Sequence, residues 1–138
     1  MIRKSVKFFI NKTDSINTYV ITKSLENTMA VHDITIQQGA TFAKTLTITD
    51  DSDVAIDISN DSFRGQVRKH HSSTTTEATF TLTVTDGANG IVSWSISATD
   101  TASMGNCKFY YDIEWVKANG NVVRLLEGIA DTTPEVTR

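Results

Sequence analysis

The stretch YYDIEWVKANGNVVRLLEG, residues 110–128, holds two strand-like segments that meet at Asn119-Gly120. In the first segment apolar and polar side chains alternate with period two, which is typical of a strand with one buried and one solvated face. An Asn-Gly pair between two such segments is a strong β-hairpin signal, because a type I′ turn needs positive φ at both central positions. The stretch therefore predicts two antiparallel strands joined by a type I′ turn.

The parity of the alternation divides the side chains of this hairpin between two faces. In the first strand the inner, core-facing row is predicted to be Phe109, Tyr111, Ile113 and Trp115. In the second strand the inner row is predicted to be Val123, Leu125 and Ile129. The aromatic and acidic residues that crowd together in sequence are therefore expected to separate into a core row and a solvated row.

The same period-two pattern recurs in four segments upstream of the hairpin. They are TFAKTLTIT, SFRGQVRK, TFTLTVT and IVSWSIS, at residues 41–49, 62–69, 79–85 and 91–97. A further strand is predicted to start at His32. Short strands at regular spacing, with no long helix between them, predict an all-β, Ig-like Greek-key β-sandwich of about seven strands with an N-terminal extension.

One short segment has helical character. Ser97 is followed three residues later by Asp100, which resembles the capping pattern at the start of a helix. The segment is therefore predicted to form a single helical turn that crosses between two strands.

The charge distribution separates the first 28 residues from the rest of the chain. They carry five basic and two acidic side chains, a formal +3, which leaves −6 for the remainder of a 138-residue chain with net charge −3. We predict an N-terminal extension or arm at residues 1–28 and the Ig-like β-sandwich domain at residues 29–138. The alternative is that the natural start is Met29 and the first 28 residues come from an early start codon.

Composition excludes several classes of function. The net negative charge gives no basic footprint for nucleic acid. No apolar run is long enough to span a membrane, and the apolar part of the N-terminus is too short for a signal peptide. The single cysteine, Cys107, excludes an intrachain disulfide and is interpreted as a small buried side chain. Cytoplasmic synthesis is expected, with no nucleic acid or membrane as partner.

The candidate metal ligands lack a converging pattern. His70 and His71 are adjacent, and adjacent side chains of an extended segment point in opposite directions. Asp51, Asp53 and Asp57 lack the glycine and the distal glutamate of a calcium loop. We therefore predict no metal site and no cofactor.

Asp112 and Glu114 are the strongest catalytic candidates. They share one strand face at about 6–7 Å, a spacing that glycosidase carboxylate pairs also use. A solvated pair facing Arg124 on the neighbouring strand is the favoured interpretation. No other catalytic motif occurs, so the sequence predicts a non-enzyme with no catalytic residues.

Tyr110 is the one candidate for contact with a partner. It faces away from the predicted aromatic core row. An exposed tyrosine can stack on a sugar or dock another subunit, because its ring is apolar and its hydroxyl is polar.

Four stretches support a family resemblance. They are ITIQQGATFAKTLTITD at 34–50, DISNDSFRGQVRK at 57–69, GIVSWSISATDTAS at 90–103 and YYDIEWVKANGNVVRLLEGIADTTPEVTR at 110–138. In this order and spacing the chain resembles small Ig-like virion structural proteins of tailed bacteriophages, and it is similar to the N-terminal domain of phage baseplate upper proteins. The resemblance covers residues 30–138 and brings no catalytic motif.

The resemblance implies a virion structural protein, an assembly or adaptor module of the tail or baseplate. The implied partners are other virion proteins, in a homo-oligomer or a hetero-assembly, and the implied location is the virion. Two alternatives stay open. One is a carbohydrate-binding module that contacts a glycan on the host surface, and the other is a capsid decoration protein.

Overall fold

Eleven strands and one short α-helix form the part of the chain that the computed structural model describes, residues 7–10, 18–22, 30–50 and 52–137. The strands are β1 (Lys7–Ile10), β2 (Thr18–Thr22), β3 (Ala30–Val31), β4 (Ile34–Gln37), β5 (Phe42–Thr49), β6 (Ser62–Arg68), β7 (Ala78–Thr79), β8 (Thr81–Asp86), β9 (Ile91–Ile96), β10 (Lys108–Val116) and β11 (Val122–Thr133). The helix α1 spans Ala98–Ala102, and a 3₁₀ turn spans Gly87–Asn89.

The strands form two sheets. The first has the order β1-β2-β5-β9-β8, and the second has the order β3-β11-β10-β6-β7, with β4 also paired to β11. The chain passes from the first sheet to the second after β5 and again after β9, which is the connectivity of an Ig-like sandwich. This confirms the predicted all-β Ig-like class. The seven predicted strands correspond to β4, β5, β6, β8, β9, β10 and β11.

The core between the sheets is centred on Trp94 of β9, which is completely buried. Its ring centroid lies 5.2 Å from that of Phe42, 5.3 Å from that of Phe80 and 5.8 Å from that of Tyr111. Phe42 belongs to β5 and Tyr111 to β10, so the aromatic cluster joins both sheets. The inner row predicted for the first strand of the hairpin is confirmed, since all four of its members are buried.

A β-bulge in β11 changes the predicted inner row of the second hairpin strand. Ile113 pairs with Leu126 and Glu114 pairs with Arg124, so Leu125 is an extra residue that faces no partner on β10. The extra residue reverses the side-chain parity of the strand beyond it. Leu125 and Leu126 are both buried, whereas Ile129 is only partly buried. The prediction that Ile129 belongs to the inner row is therefore wrong.

The hairpin between β10 and β11 is confirmed, but the predicted type I′ turn is wrong. Gly120 has a φ of 92°, whereas Asn119 has no positive φ. The Gly120 N–H donates to the Lys117 carbonyl at 2.9 Å, and the Lys117 N–H donates to the Asn121 carbonyl at 2.8 Å. These bonds describe a three-residue loop in which a type I turn is followed by a left-handed glycine.

The predicted helical turn is confirmed. Ser97 precedes α1, and its hydroxyl oxygen accepts a hydrogen bond from the Asp100 N–H at 3.2 Å. Inside the turn, the buried Thr101 hydroxyl donates to the Ala40 carbonyl at 2.8 Å. This bond ties the crossing between β9 and β10 to the segment that precedes β5.

Two strands precede the predicted sandwich domain. β1 pairs antiparallel with β2, and β2 pairs in parallel with β5, with Thr18 opposite Thr45 and Thr22 opposite Thr49. Residues 23–29, which include the predicted boundary at residue 28 and Met29, lie outside the described residues. The division of the chain into an arm and a body stays a prediction.

Gly128 of β11 lies directly under the link between β3 and β4. A Cβ atom at this position would overlap the backbone carbonyl oxygen of His32. The link is held to β11 on both sides, because the His32 N–H donates to Glu127 O at 2.8 Å and the Ile129 N–H donates to Asp33 Oδ1 at 2.9 Å. Only glycine allows this close approach of two backbones.

Replacing Gly128 with alanine is expected to destabilise the protein by about 1–3 kcal/mol, because the link must move away from β11. Urea denaturation of the two proteins measures the difference. Gly105→Ala is the matched control, since a Cβ there meets only ordinary contacts at 3.5 Å from Phe109 and 3.8 Å from Glu77. The control should stay within about 1 kcal/mol of the parent protein. Equal losses at both glycines would contradict the close packing of the link on β11.

Candidate functional site

An open groove of about 740 Å³ is lined mainly by outward side chains of the second sheet, and Thr79, Phe80 and Leu82 of the β7–β8 segment also line it. It lies over β6, β10 and β11, whose outward side chains stand in register. Across β6 and β10 the facing pairs are Arg68 with Tyr110, Gln66 with Asp112 and Arg64 with Glu114. The alternation of each strand sends these polar side chains outward while the core row points inward. We call this feature the outer-face groove.

Ion pairs link the three strands across the floor of the groove. Arg64 Nε lies 2.7 Å from Glu114 Oε1. Arg124 Nε lies 3.6 Å from Asp112 Oδ2, and Arg124 Nη1 lies 3.9 Å from Glu127 Oε1. The predicted pairing with Arg124 is confirmed for Asp112, whereas Glu114 pairs with β6 instead. Both carboxylates of the catalytic hypothesis are thus held by guanidinium groups.

Asp112 has an altered proton affinity. Burial of its carboxyl group raises its pKa, and the negative charges of Glu114 and Glu127 add to that rise. The positive charges of Arg124 and His71 act in the opposite direction but do not cancel it. The Asp112 side chain nevertheless keeps 39% of its surface exposed, so a ligand in the groove can reach its carboxyl group.

Tyr110 lies at one end of the groove beside His71, one of the two adjacent histidines. The ring centroids of Tyr110 and His71 are 4.4 Å apart, with an angle of 37° between the planes. Tyr110 keeps 38% of its surface exposed, and His71 is also exposed. At this distance the two rings are partly stacked, so His71 packs against the tyrosine ring; we call the two residues the ring pair.

The loop that carries His71 is held against the sheet by Arg68. The Arg68 Nη1 donates to the Ser73 carbonyl at 2.7 Å, and the Arg68 Nη2 donates to Gln66 Oε1 at 2.8 Å. The Ser73 hydroxyl oxygen accepts from the His70 N–H at 3.0 Å, which closes the turn. His71 and Tyr110 are far apart in sequence, and no local pattern indicates their contact. Sequence reasoning therefore identified Tyr110 but missed His71.

The other predicted candidates lie apart from the groove. Asp57 Oδ1 accepts hydrogen bonds from the Ser59 hydroxyl and backbone N–H, which hold the pKa of Asp57 below its usual range. Asp53 adopts a φ of 61° in the adjacent turn, and Asp51 lies outside the described residues. Cys107 is partly buried against the core. Within the described residues, no group of three histidine, cysteine or acidic side chains is placed to hold a metal ion.

No helix in the described part of the chain is long and apolar enough to cross a lipid bilayer.

Comparison with known proteins finds distant structural likenesses only. No protein-family model matches the sequence, and no curated protein matches it. The chain is similar to the bradyzoite-specific antigen BSR4 of Toxoplasma gondii, with a TM-score of 0.43 and 8% identity over 96% of this chain and 53% of the antigen. The chain thus spans about half the length of that antigen.

A second likeness is to the N-terminal domain of phage TP901-1 ORF48. The TM-score is 0.41 and the identity 11%, over 78% of this chain and 100% of that domain. At such identities and TM-scores neither comparison assigns a function to this chain.

Proposed function

We propose that this chain is a phage virion structural protein, an assembly or adaptor module of the tail or baseplate. The observation that carries the proposal is the addition of β2 to the edge of β5. A strand from the predicted N-terminal arm completes the first sheet through main-chain hydrogen bonds, which is how proteins join by strand addition. The sequence resemblance of residues 30–138 to phage virion proteins supports the same function.

The edge of β5 is the favoured place for joining neighbouring copies. An uncovered edge strand offers a row of unpaired N–H and C=O groups to any extended segment. Residues 23–29 follow β2 in the chain, and the register that β2 takes on β5 suits the β2 segment of another copy equally well. At the opposite end of the sheet, β8 has a bulge between Val84 and Asp86, which disfavours added strands.

Electrostatic attraction favours the same assembly. The first 28 residues carry a formal +3 and the remainder carries −6. An arm with net positive charge is attracted to the negatively charged bodies of neighbouring copies as well as to its own body. Such attraction is screened as ionic strength rises, so its contribution to assembly is greatest at low salt.

Labelling of intact phage particles tests the location. An antibody against this chain, carrying gold, is applied to purified particles that encode it and viewed by electron microscopy. The expected result is gold at the tail or at its baseplate end. Gold on the head would support capsid decoration instead, and particles that lack the chain altogether would contradict a virion role.

Blocking β2 tests the assembly mechanism. Val20 pairs with Thr47 of β5 and with Phe9 of β1, and proline at this position removes a backbone donor from the ladder. Val20→Pro is expected to lower the oligomer mass measured by native mass spectrometry or light scattering, as is removal of residues 1–28. Both losses should be larger at low salt than at high salt.

The matched control for that experiment is Val136→Pro, because Val136 lies outside the strands and is 93% exposed. This variant should assemble as the parent chain does. If Val20→Pro and the trimmed chain kept the oligomer mass of the parent chain, strand addition by the arm would be ruled out as the mechanism of assembly.

We also propose that the chain is not an enzyme. Asp112 and Glu114, the only carboxylate pair that the sequence offered for catalysis, are each ion-paired with an arginine. Release of reducing sugar from an oligosaccharide, lost in the double variant Asp112→Asn/Glu114→Gln, would contradict this.

A further inference from the structure

We propose that the outer-face groove binds a neutral oligosaccharide, with the ring pair of Tyr110 and His71 as its platform. This inference does not depend on the assembly function, since β6, β10 and β11 supply most of the groove, whereas β2 pairs with β5. It rests on the size of the groove, the ring pair and the balance of charge around them.

The groove is large enough for a short oligosaccharide and rests on a rigid floor. Its volume of about 740 Å³ lies within the range of small-ligand sites. The floor consists of three strands, β6, β10 and β11, that pair along most of their length. Side chains on paired strands are held more precisely than side chains on loops, which favours recognition of a defined ligand.

The ring pair supplies the apolar contact that sugars need. A pyranose ring has one face rich in C–H groups, and this face packs against an aromatic ring. His71 packs against Tyr110 with the ring centroids 4.4 Å apart, which holds the tyrosine ring in place, and Tyr110 keeps 38% of its surface exposed for contact with a sugar. The tyrosine hydroxyl and the imidazole nitrogens add hydrogen-bonding groups at its border.

The charge balance of the groove favours a neutral ligand. Three arginines and three carboxylates line it, and their formal charges cancel. They are Arg64, Arg68, Arg124, Asp112, Glu114 and Glu127. An anionic ligand would meet the carboxylates and a cationic ligand would meet the guanidinium groups, so either would lose part of its attraction.

Hydroxyl groups are well suited to such a surface. Each hydroxyl both donates and accepts, so it can donate to a carboxylate and accept from a neighbouring guanidinium or from the Gln66 amide. Among the three carboxylates, the Asp112 side chain is the most exposed, at 39% of its surface, so it is the one that a ligand hydroxyl reaches most easily. A hydroxyl that donates to this carboxylate replaces the water that it displaces.

Isothermal titration calorimetry of the full chain tests the proposal with four probes. Three are neutral, namely maltotriose, cellotriose and triacetylchitotriose, and the fourth, trigalacturonate, is an anionic control. At least one neutral trisaccharide is expected to bind with a Kd below about 1 mM. Trigalacturonate is expected to bind more weakly than the best neutral probe.

Variants of Tyr110 separate binding from folding. Tyr110→Ala should weaken binding of the best neutral probe by about tenfold or more, whereas Tyr110→Phe should retain it because the ring remains. Val122→Ala is the control, since Val122 is exposed on β11 and does not line the groove. Thermal unfolding should be nearly the same for all three variants.

Three results would overturn the proposal. The first is that no neutral trisaccharide in the set binds below about 1 mM. The second is a preference for trigalacturonate. The third is unchanged affinity in a folded Tyr110→Ala variant.

Discussion

Replacing Trp94 with alanine is expected to lower the free energy of unfolding by about 3–5 kcal/mol. Trp94 is completely buried and contacts aromatic rings from both sheets. Its removal leaves a cavity that the neighbouring rings can fill only partly, because they are themselves held by the strands on which they lie. Since a domain of this size is stabilised by only about 5–15 kcal/mol, the loss is a large fraction of the total.

The edge-on geometry of the cluster adds to this loss. The Trp94 ring meets Phe42 at 75° and Phe80 at 77°, angles at which the positive edge of one ring faces the negative face of the other. Such pairs contribute about 0.5–1.5 kcal/mol beyond burial of area. Trp94→Phe keeps an aromatic ring at the site and should therefore cost less than Trp94→Ala.

Urea denaturation, followed by circular dichroism, measures the effect. Tyr110→Ala is the control, because it removes an aromatic ring from the outer face of the second sheet and should change the free energy of unfolding by less than about 1 kcal/mol. If Trp94→Ala and Tyr110→Ala destabilised the protein equally, Trp94 would not lie at the centre of the core.

The second large effect is expected at Leu126. Leu126→Ala should cost about 2–5 kcal/mol, because the side chain is completely buried between the sheets. Ile129→Ala, which removes a similar amount of apolar side chain three residues further on, should cost less than about 1 kcal/mol. Ile129 lies beyond the bulge and its side chain is only partly buried.

This pair of variants tests the β-bulge directly. Unbroken alternation from Val123 through Leu125 places Ile129 inside and Leu126 outside, whereas the bulge reverses both. Thermal and urea unfolding of the two single variants are therefore expected to rank Leu126 well above Ile129 in destabilisation. The opposite ranking would mean that β11 pairs with β10 without the extra residue.

Much of the sandwich could be predicted from alternation because that pattern reflects local backbone geometry. Phe109, Tyr111, Ile113 and Trp115 occupy every second position of one strand, so one buried position implies the others. Ser97 likewise lies next to the N–H groups that it caps, and the Asn119-Gly120 hairpin is closed by neighbouring residues. These features depend on a few consecutive residues and hold whatever the partner strand is.

The predictions of the turn type and of the inner row of β11 were wrong for a different reason. Both depend on how two strands register, and register is a property of the pair. The extra residue at Leu125 exists only relative to β10, where Ile113 and Glu114 face Leu126 and Arg124. An apolar pair such as Leu125-Leu126 is compatible with a bulge and with simple alternation. The sequence pattern alone therefore could not distinguish a bulged β11 from an unbroken one.

The candidate site was open to prediction only in part. Tyr110, Asp112 and Glu114 were assigned to one solvated face by parity, and they do share the outer face of the second sheet. Their partners come from elsewhere in the chain, with Arg64 brought by β6 and His71 by the loop after it. No spacing in the sequence encodes these distances.

By itself, the sequence determined the all-β class, the parity of the strands before the bulge, the capped turn at Ser97 and the hairpin of residues 110–128. Each follows from steric and hydrogen-bonding preferences of neighbouring residues. Only the tertiary structure decided the bulge at Leu125, the addition of β2 to β5 and the contact of Tyr110 with His71 beside the groove. These arise where strands distant in sequence meet, and burial and main-chain pairing between them select one register from several that the local pattern permits.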